Sequence, residues 1–217
     1  MRGLFITFEG PDGSGKTTQL KLLADYLVEK GYKVFTTRDP GGTIISDKIR
    51  GILLEPEHEE LISQTEILLY ASSRAQLVHE VIIPAINQGK IVLCDRYIDA
   101  SIAYQAYGLG VSQKIVEQIN DFASSGLQPT RTYLLNINPE IGINRALKRV
   151  NNEFNNKLDR IEQKDIEYHR KVHEGFSKLA REDSNRIVEI DGEKTIDKIF
   201  QLIRDDFELF LQLKGGD

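Results

Sequence analysis

Cysteine is almost absent. The 217-residue chain carries one, Cys94, so an internal disulfide is excluded. A thiol inside the apolar run Ile91-Val92-Leu93-Cys94 reads as a reduced core residue of a cytoplasmic protein. Long hydrophobic runs are missing too. The N-terminal run Leu4 to Phe8 is too short for a signal peptide, and no later run reaches the ~20 residues of a membrane span. The chain is therefore expected to be soluble and free of the membrane. Linker-like Ser/Gly or Pro-rich stretches, internal repeats and low-complexity tracts are also lacking, which favours a single domain over residues 1–217. Positive charge is not in excess: 28 Lys and Arg stand against 33 Asp and Glu, net -5. That balance argues against a nucleic acid polymer held by phosphate neutralisation. It leaves room for small phosphorylated ligands, which need only a few placed arginines. What is present is 40% hydrophobic residues, enough for a core without disulfide or structural metal.

Five short apolar or β-branched runs read as strands: Leu4 to Phe8, Lys33 to Thr37, Ile91 to Asp95, Thr132 to Asn136 and Arg186 to Ile190. Segments of helical spacing lie between them. Leu20, Leu23, Ala24, Leu27 and Val28 form one stripe, stopped by Gly31. A longer helical stretch spans about Glu59 to Asn87 and is expected to break near Pro84. The last runs from Thr195 to Leu213, with Ile196, Ile199, Phe200, Ile203 and Phe207 on one face. Strands alternating with helices imply an α/β fold, with a parallel sheet covered on both faces and ligands at the carboxyl ends of its strands.

Behind the first strand stands Gly10-Pro11-Asp12-Gly13-Ser14-Gly15-Lys16-Thr17, followed by Thr18 and an amphipathic helix. This is the P-loop pattern in its proper context. Glycines let successive backbone N–H groups turn toward phosphate oxygens, and the helix adds the positive end of its dipole. Lys16 is expected to reach the β/γ-phosphates and Thr17 to ligate Mg²⁺. The motif implies a Mg-nucleotide site without fixing the reaction.

The other strand ends add to it. The second runs into Arg38-Asp39-Pro40-Gly41-Gly42-Thr43, a tight turn beside an arginine able to grip a second phosphate. The third ends in Asp95-Arg96-Tyr97: a carboxylate for the Mg²⁺ sphere, then a guanidinium able to bridge two phosphates. Residues 147–164 turn polar and basic, with Lys148, Arg149, Lys157 and Arg160, and read as a mobile lid.

As a set, these residues resemble the thymidylate kinases of the bacterial kind. The resemblance rests on the P-loop with Asp12, on Arg38 to Thr43, on Tyr70-Ala71-Ser72-Ser73-Arg74-Ala75-Gln76, on Asp95 to Gln105, and on Leu158-Asp159-Arg160-Ile161-Glu162. It implies a three-layer P-loop NTPase fold with a five-stranded parallel sheet, transfer from ATP-Mg²⁺ to dTMP, and a homodimer. Carried over by position, Gly10 to Thr18 would bind ATP, and Thr17 and Asp95 would serve the metal. Arg38 and Arg96 would hold the acceptor phosphate, with Arg96 reaching the transferred group. Tyr70 would stack on thymine, Arg74 would donate to a thymine carbonyl, and Ser101 and Gln105 would address the ring N3 edge. Tyr104 would pack where a ribose 2′-OH would sit, and Asp12 would face the sugar 3′-OH and the metal. Asp39 stands where the family usually has Glu, and Tyr70 where Phe is commoner. The P-loop lacks an internal arginine, so the catalytic guanidinium is expected from the lid: Arg149, with Arg160 in reserve.

A GTPase switch is the rival from another class, since Asp39-Pro40-Gly41-Gly42 fits D-x-x-G and Asn156-Lys157-Leu158-Asp159 fits N-K-x-D. A guanine-reading N-K-x-D should end a buried strand, yet this one follows a polar run. A kinase for another nucleoside monophosphate, a deoxynucleoside or a small metabolite is the nearer alternative; the paired arginines favour an acceptor that already carries phosphate. A nucleotide-binding regulatory module is disfavoured by the presence of Lys16, Thr17, Asp95 and Arg96 together.

Overall fold

The computed structural model describes residues 3–152 and 157–215, with backbone only for 149–152, 214 and 215. Strands β1 (Leu4–Glu9), β2 (Val34–Arg38), β3 (Ile91–Asp95), β4 (Arg131–Asn136) and β5 (Ile187–Asp191) form one sheet in the order β2-β3-β1-β4-β5. Every pairing is parallel. The five strand expectations hold to within a residue or two at each end.

The helices are α1 (Lys16–Glu29), α2 (Ile44–Leu54), α3 (Ser63–Leu77), α4 (Ile83–Asn87), α5 (Ile98–Ser101), α6 (Gln113–Ser124), α7 (Pro139–Asn152), α8 (Ile166–Glu182) and α9 (Ile196–Gly215). Strands buried on both faces explain the unbroken apolar runs. Ile6, Phe8, Leu93, Tyr133 and Leu135 face Leu20, Leu23 and Leu27 of α1 and Ile199, Ile203 and Phe207 of α9. Their neighbours Phe5, Val92 and Cys94 point the other way, against Leu77, Val78 and Ile82. Leu134 and Ile187 join Tyr104, Tyr168, Val172 and Phe176. Each such side chain contributes about 2 kcal/mol when fully buried, so the strand ends are held by a close-packed frame.

The expected break at Pro84 is displaced. Wider π-helical turns join α3 to α4 at Val78–Ile82 and extend α5 through Ile102–Gly108. The Ile83 N–H reaches back five residues to Val78 O, and Pro84 then sits in the first turn of α4. There its missing N–H interrupts nothing. The helix expected from about Glu59 starts only at Ser63.

From β1 the chain moves to one side of the sheet, and from β3 it crosses to the other. The carboxyl ends of β1 and β3 therefore flank the switch point where α/β sheets bind ligands. Register does the rest: Phe8 and Arg38 both pair with Asp95. The phosphate loop, Arg38 and the Asp95-Arg96 turn thus emerge at one level.

Candidate active site

The loop after β1 is shaped by close backbone approach. Gly13 has φ 74, and a Cβ there would lie 2.5 Å from Gly142 O on α7. A Cβ on Gly142 would lie 2.6 Å from Asp12 O. Only glycine on both sides allows this contact. Helix α1 differs from α2 and α8, whose N-termini are capped by Thr43 and Asp165 side chains. It has no side-chain cap and no acidic residue in its first turn, which leaves its first amides for an anion.

Lys16 is buried and curls back on the loop, donating to Pro11 O at 2.8 Å and Gly10 O at 3.0 Å. Burial, reinforced by the nearby Arg96 guanidinium, pulls its ammonium down to about 8. An arriving polyphosphate would relieve both effects. Thr17 donates to Asp95 Oδ2 at 2.5 Å. Hydroxyl and carboxylate side by side at the loop fit a cation that keeps most of its own water, as Mg²⁺ does.

Two cavities meet here. A cleft runs along the loop, lined among others by Lys16, Thr17, Thr18, Arg38, Asp95 and Arg145. A smaller cavity lies beside it, among Tyr70, Arg74, Ser101, Tyr104, Gln105 and Ile161. Asp12, Asp39, Arg50, Arg96 and Asp159 line both.

Arg96 holds the shared wall. Its backbone is left-handed (φ 68), a conformation disfavoured for non-glycine residues and found at functional sites. Two bonds pin the turn: Arg96 N to Phe8 O at 2.9 Å, and Tyr97 N to Glu9 Oε1 at 2.7 Å. The guanidinium pairs with Asp12 at 2.6 Å, donates to Gly10 O and Tyr104 Oη, and lies 4.9 Å from the Tyr104 ring centroid. Burial works against its charge, but Asp12, Tyr104 and Asp95 hold it firmly protonated. Burial alone would raise the Asp12 carboxyl, yet Arg96 and Lys16 keep it well below the ordinary carboxylate range. Tyr104 Oη donates to Asp12 Oδ2 at 2.9 Å.

Arg74 is 1% exposed and nearly spent. It donates Nε to Asp39 at 2.5 Å, Nη1 to Asn120, and Nη2 to Ser101 Oγ and Tyr97 O. Four of the five guanidinium N–H bonds are thus used, leaving one for a ligand in the smaller cavity. Tyr70 is half-buried on its wall. Arg38 is more peripheral, half-exposed and paired with Asp47 at 2.9 Å.

Residues 139–152 continue as α7, and the side chain of Arg149 lies outside the described residues. Arg160, the reserve candidate, is 6% exposed. It pairs with Glu66 at 2.7 Å and donates to Leu53 O, which ties the segment to α3 and the end of α2. Ile161 and Glu162 are buried beside it. The N-K-x-D string ends in no strand: Asp159 accepts from the Ile161 and Glu162 amides in a turn.

Sequence reasoning missed Arg50, Arg145, Asp159 and Glu9. Arg50 lies mid-helix on α2, and Arg145 on α7 donates to Gly13 O and Gly192 O. Burial lifts Asp159 to about 6. Glu9 precedes the P-loop pattern by one residue, which was the only available signal.

A phosphate loop, a second cavity beside it and an arginine on their common wall define a P-loop phosphotransferase. The family model described as Thymidylate kinase matches residues 8–203. A thymidylate kinase from Exiguobacterium sp. is 49% identical over 92% of this chain and 91% of its own. One from Geobacillus sp. is 46% identical over 93% and 94%. The crystal structure of the Ehrlichia chaffeensis thymidylate kinase superposes with a TM-score of 0.76 at 31% identity, covering 95% of this chain and 99% of that one. The chain belongs to the thymidylate kinase family.

Proposed function

We propose that the protein transfers the γ-phosphoryl group of ATP to dTMP, giving ADP and dTDP for dTTP synthesis. The observation that carries this reading is Arg96 on the wall common to the phosphate-loop cleft and the smaller cavity. ATP phosphates lie along Gly10 to Thr18, with Lys16 swung from the loop carbonyls onto them. The smaller cavity takes dTMP, its base beside Tyr70, Arg74, Ser101 and Gln105, and its sugar near Asp12 and Tyr104. Arg96, aided by Arg38, orients the dTMP phosphate. One of that phosphate's oxygens attacks the γ-phosphorus as the bond to the β-bridging oxygen breaks. The attacking oxygen is already anionic, so positioning and charge stabilisation suffice without a strong general base. Thr17 and Asp95 would hold Mg²⁺, which when bound neutralises charge on the β- and γ-phosphates. Arg149 is the candidate for a further guanidinium brought in by the basic segment.

We further read the protein as a cytoplasmic homodimer. Support comes from an apolar face on α3 and α6, where Leu68, Ile115 and Phe122 are 56%, 50% and 87% exposed. No helix among the described residues is long and apolar enough to cross a membrane. Light scattering of the wild type and of Phe122→Glu tests the dimer: a wild-type monomer would overturn it.

The reaction is tested by coupled ADP release from ATP-Mg²⁺ with dTMP, dUMP, CMP, GMP, AMP, thymidine or no acceptor. Turnover led by dTMP is expected. Preference for another acceptor would keep the transfer chemistry and discard the base site; equal rates with and without acceptor would discard the kinase reading.

A further inference from the structure

Glu66, in the first turn of α3, is 1% exposed and uses its two oxygens in opposite directions. Oε2 accepts from Arg160 Nη2 at 2.7 Å, and Oε1 accepts from Gln105 Nε2 at 3.0 Å. Arg160 is fixed in turn by Leu53 O at 2.9 Å through Nε and by Leu54 O through its backbone N–H. Gln105 is 2% exposed and lines the smaller cavity, with its Nε2 engaged by Glu66. An amide can be turned either way by its surroundings. Here the choice is dictated, because an ion-paired carboxylate has lone pairs and no hydrogen to give. It accepts the –NH₂ of Gln105, whereas the opposite orientation would set two acceptor oxygens against each other.

We propose that Glu66 is a specificity-determining positioning residue: it fixes the Gln105 amide so that the cavity presents a carbonyl oxygen to the pairing edge of the acceptor base. A carbonyl there accepts an imide N–H, as thymine and uracil offer at N3. Cytosine offers a lone pair at that position and sets two acceptors against each other. Arg160 belongs to the same device, since its charge keeps Glu66 in place. The inference rests on reading the smaller cavity as the acceptor-base site. It assigns selection between imide and amidine pyrimidines to a residue that touches neither.

The test is selectivity in Glu66→Gln, whose neutral amide can give or accept and so releases Gln105 to either orientation. The ratio of kcat/KM for dTMP over dCMP is expected to fall by about tenfold or more, chiefly through KM, while dTMP and dUMP keep their relation to each other. A merely structural role would lower both acceptors together. An unchanged dTMP-to-dCMP ratio in a folded Glu66→Gln protein, judged by circular dichroism, overturns the inference. Should that variant fail to fold, wild-type protein is offered N3-methyl-dTMP: a KM like that of dTMP overturns the inference, and a KM raised at least about tenfold supports it. Absence of any wild-type turnover with dTMP would instead remove the functional reading on which this stands.

Discussion

Glu9→Gln isolates one buried proton beneath the phosphate loop. Glu9 is fully buried; Oε1 accepts from Tyr97 N at 2.7 Å, and Oε2 has no partner. Burial and then Asp99 disfavour its ionised form. Arg96, the Tyr97 amide and Lys16 oppose them only in part, and the carboxyl is pushed from 4.5 up to about 8. Below pH 4.5, folded and unfolded chains both carry the proton, and the group adds no pH dependence. Between 4.5 and 8 the unfolded chain releases a proton that the folded chain keeps. Stability therefore falls as pH rises through this window, by about 1 kcal/mol per pH unit. Above 8 both states are ionised and the loss, a few kcal/mol in order of magnitude, is complete. The amide that replaces the carboxyl cannot titrate, yet it still offers an oxygen to Tyr97 N. The assay is urea unfolding followed by circular dichroism at several pH values, for both proteins without ligands. Asp159, raised to about 6 by burial, and other shared groups cancel in the difference. The wild-type curve should lose stability with pH relative to Glu9→Gln. Parallel curves would refute the reasoning.

Three further outcomes are expected. Lys16→Ala and Arg96→Ala should each lower kcat by at least about a hundredfold with unfolding midpoints near wild type, since each removes charge facing the transferred group; near-wild-type turnover would contradict their roles. Arg74→Ala should raise the KM for dTMP and also destabilise the fold by about 3 kcal/mol, because Asp39 is left buried without its partner; an unchanged unfolding midpoint in urea would count against the buried pair. Thr17→Val removes the hydroxyl that meets Asp95, so half-maximal rate should require more Mg²⁺ with little change in the KM for dTMP; an unaltered Mg²⁺ titration would argue against that site.

The phosphate loop was legible because its chemistry is contiguous: eight residues, a strand before and a helix after, with each conformational demand met locally. The strands were legible because sheet burial on both faces leaves apolar runs such as Ile91 to Cys94. The π-helical turns were not, since nothing in Val78–Ile82 or Ile102–Gly108 breaks helical spacing. Packing alone decides there which carbonyl an N–H reaches. Arg160 shows the limit most clearly. In the sequence it is one basic residue among several in a polar stretch, held in reserve behind Arg149. Its partner Glu66 lies 94 positions earlier on another helix, and only the fold brings the two together. Arg74 read as a ligand contact, yet its neighbours from the β2 turn, the β3 turn, α5 and α6 take all but one of its hydrogens. The sequence by itself determined the phosphate chemistry and the parallel sheet, because both follow from short-range pattern. Which partners each arginine meets was decided by the tertiary structure, because Asp12 beside Arg96 and Glu66 beside Arg160 come from elements far apart in the chain.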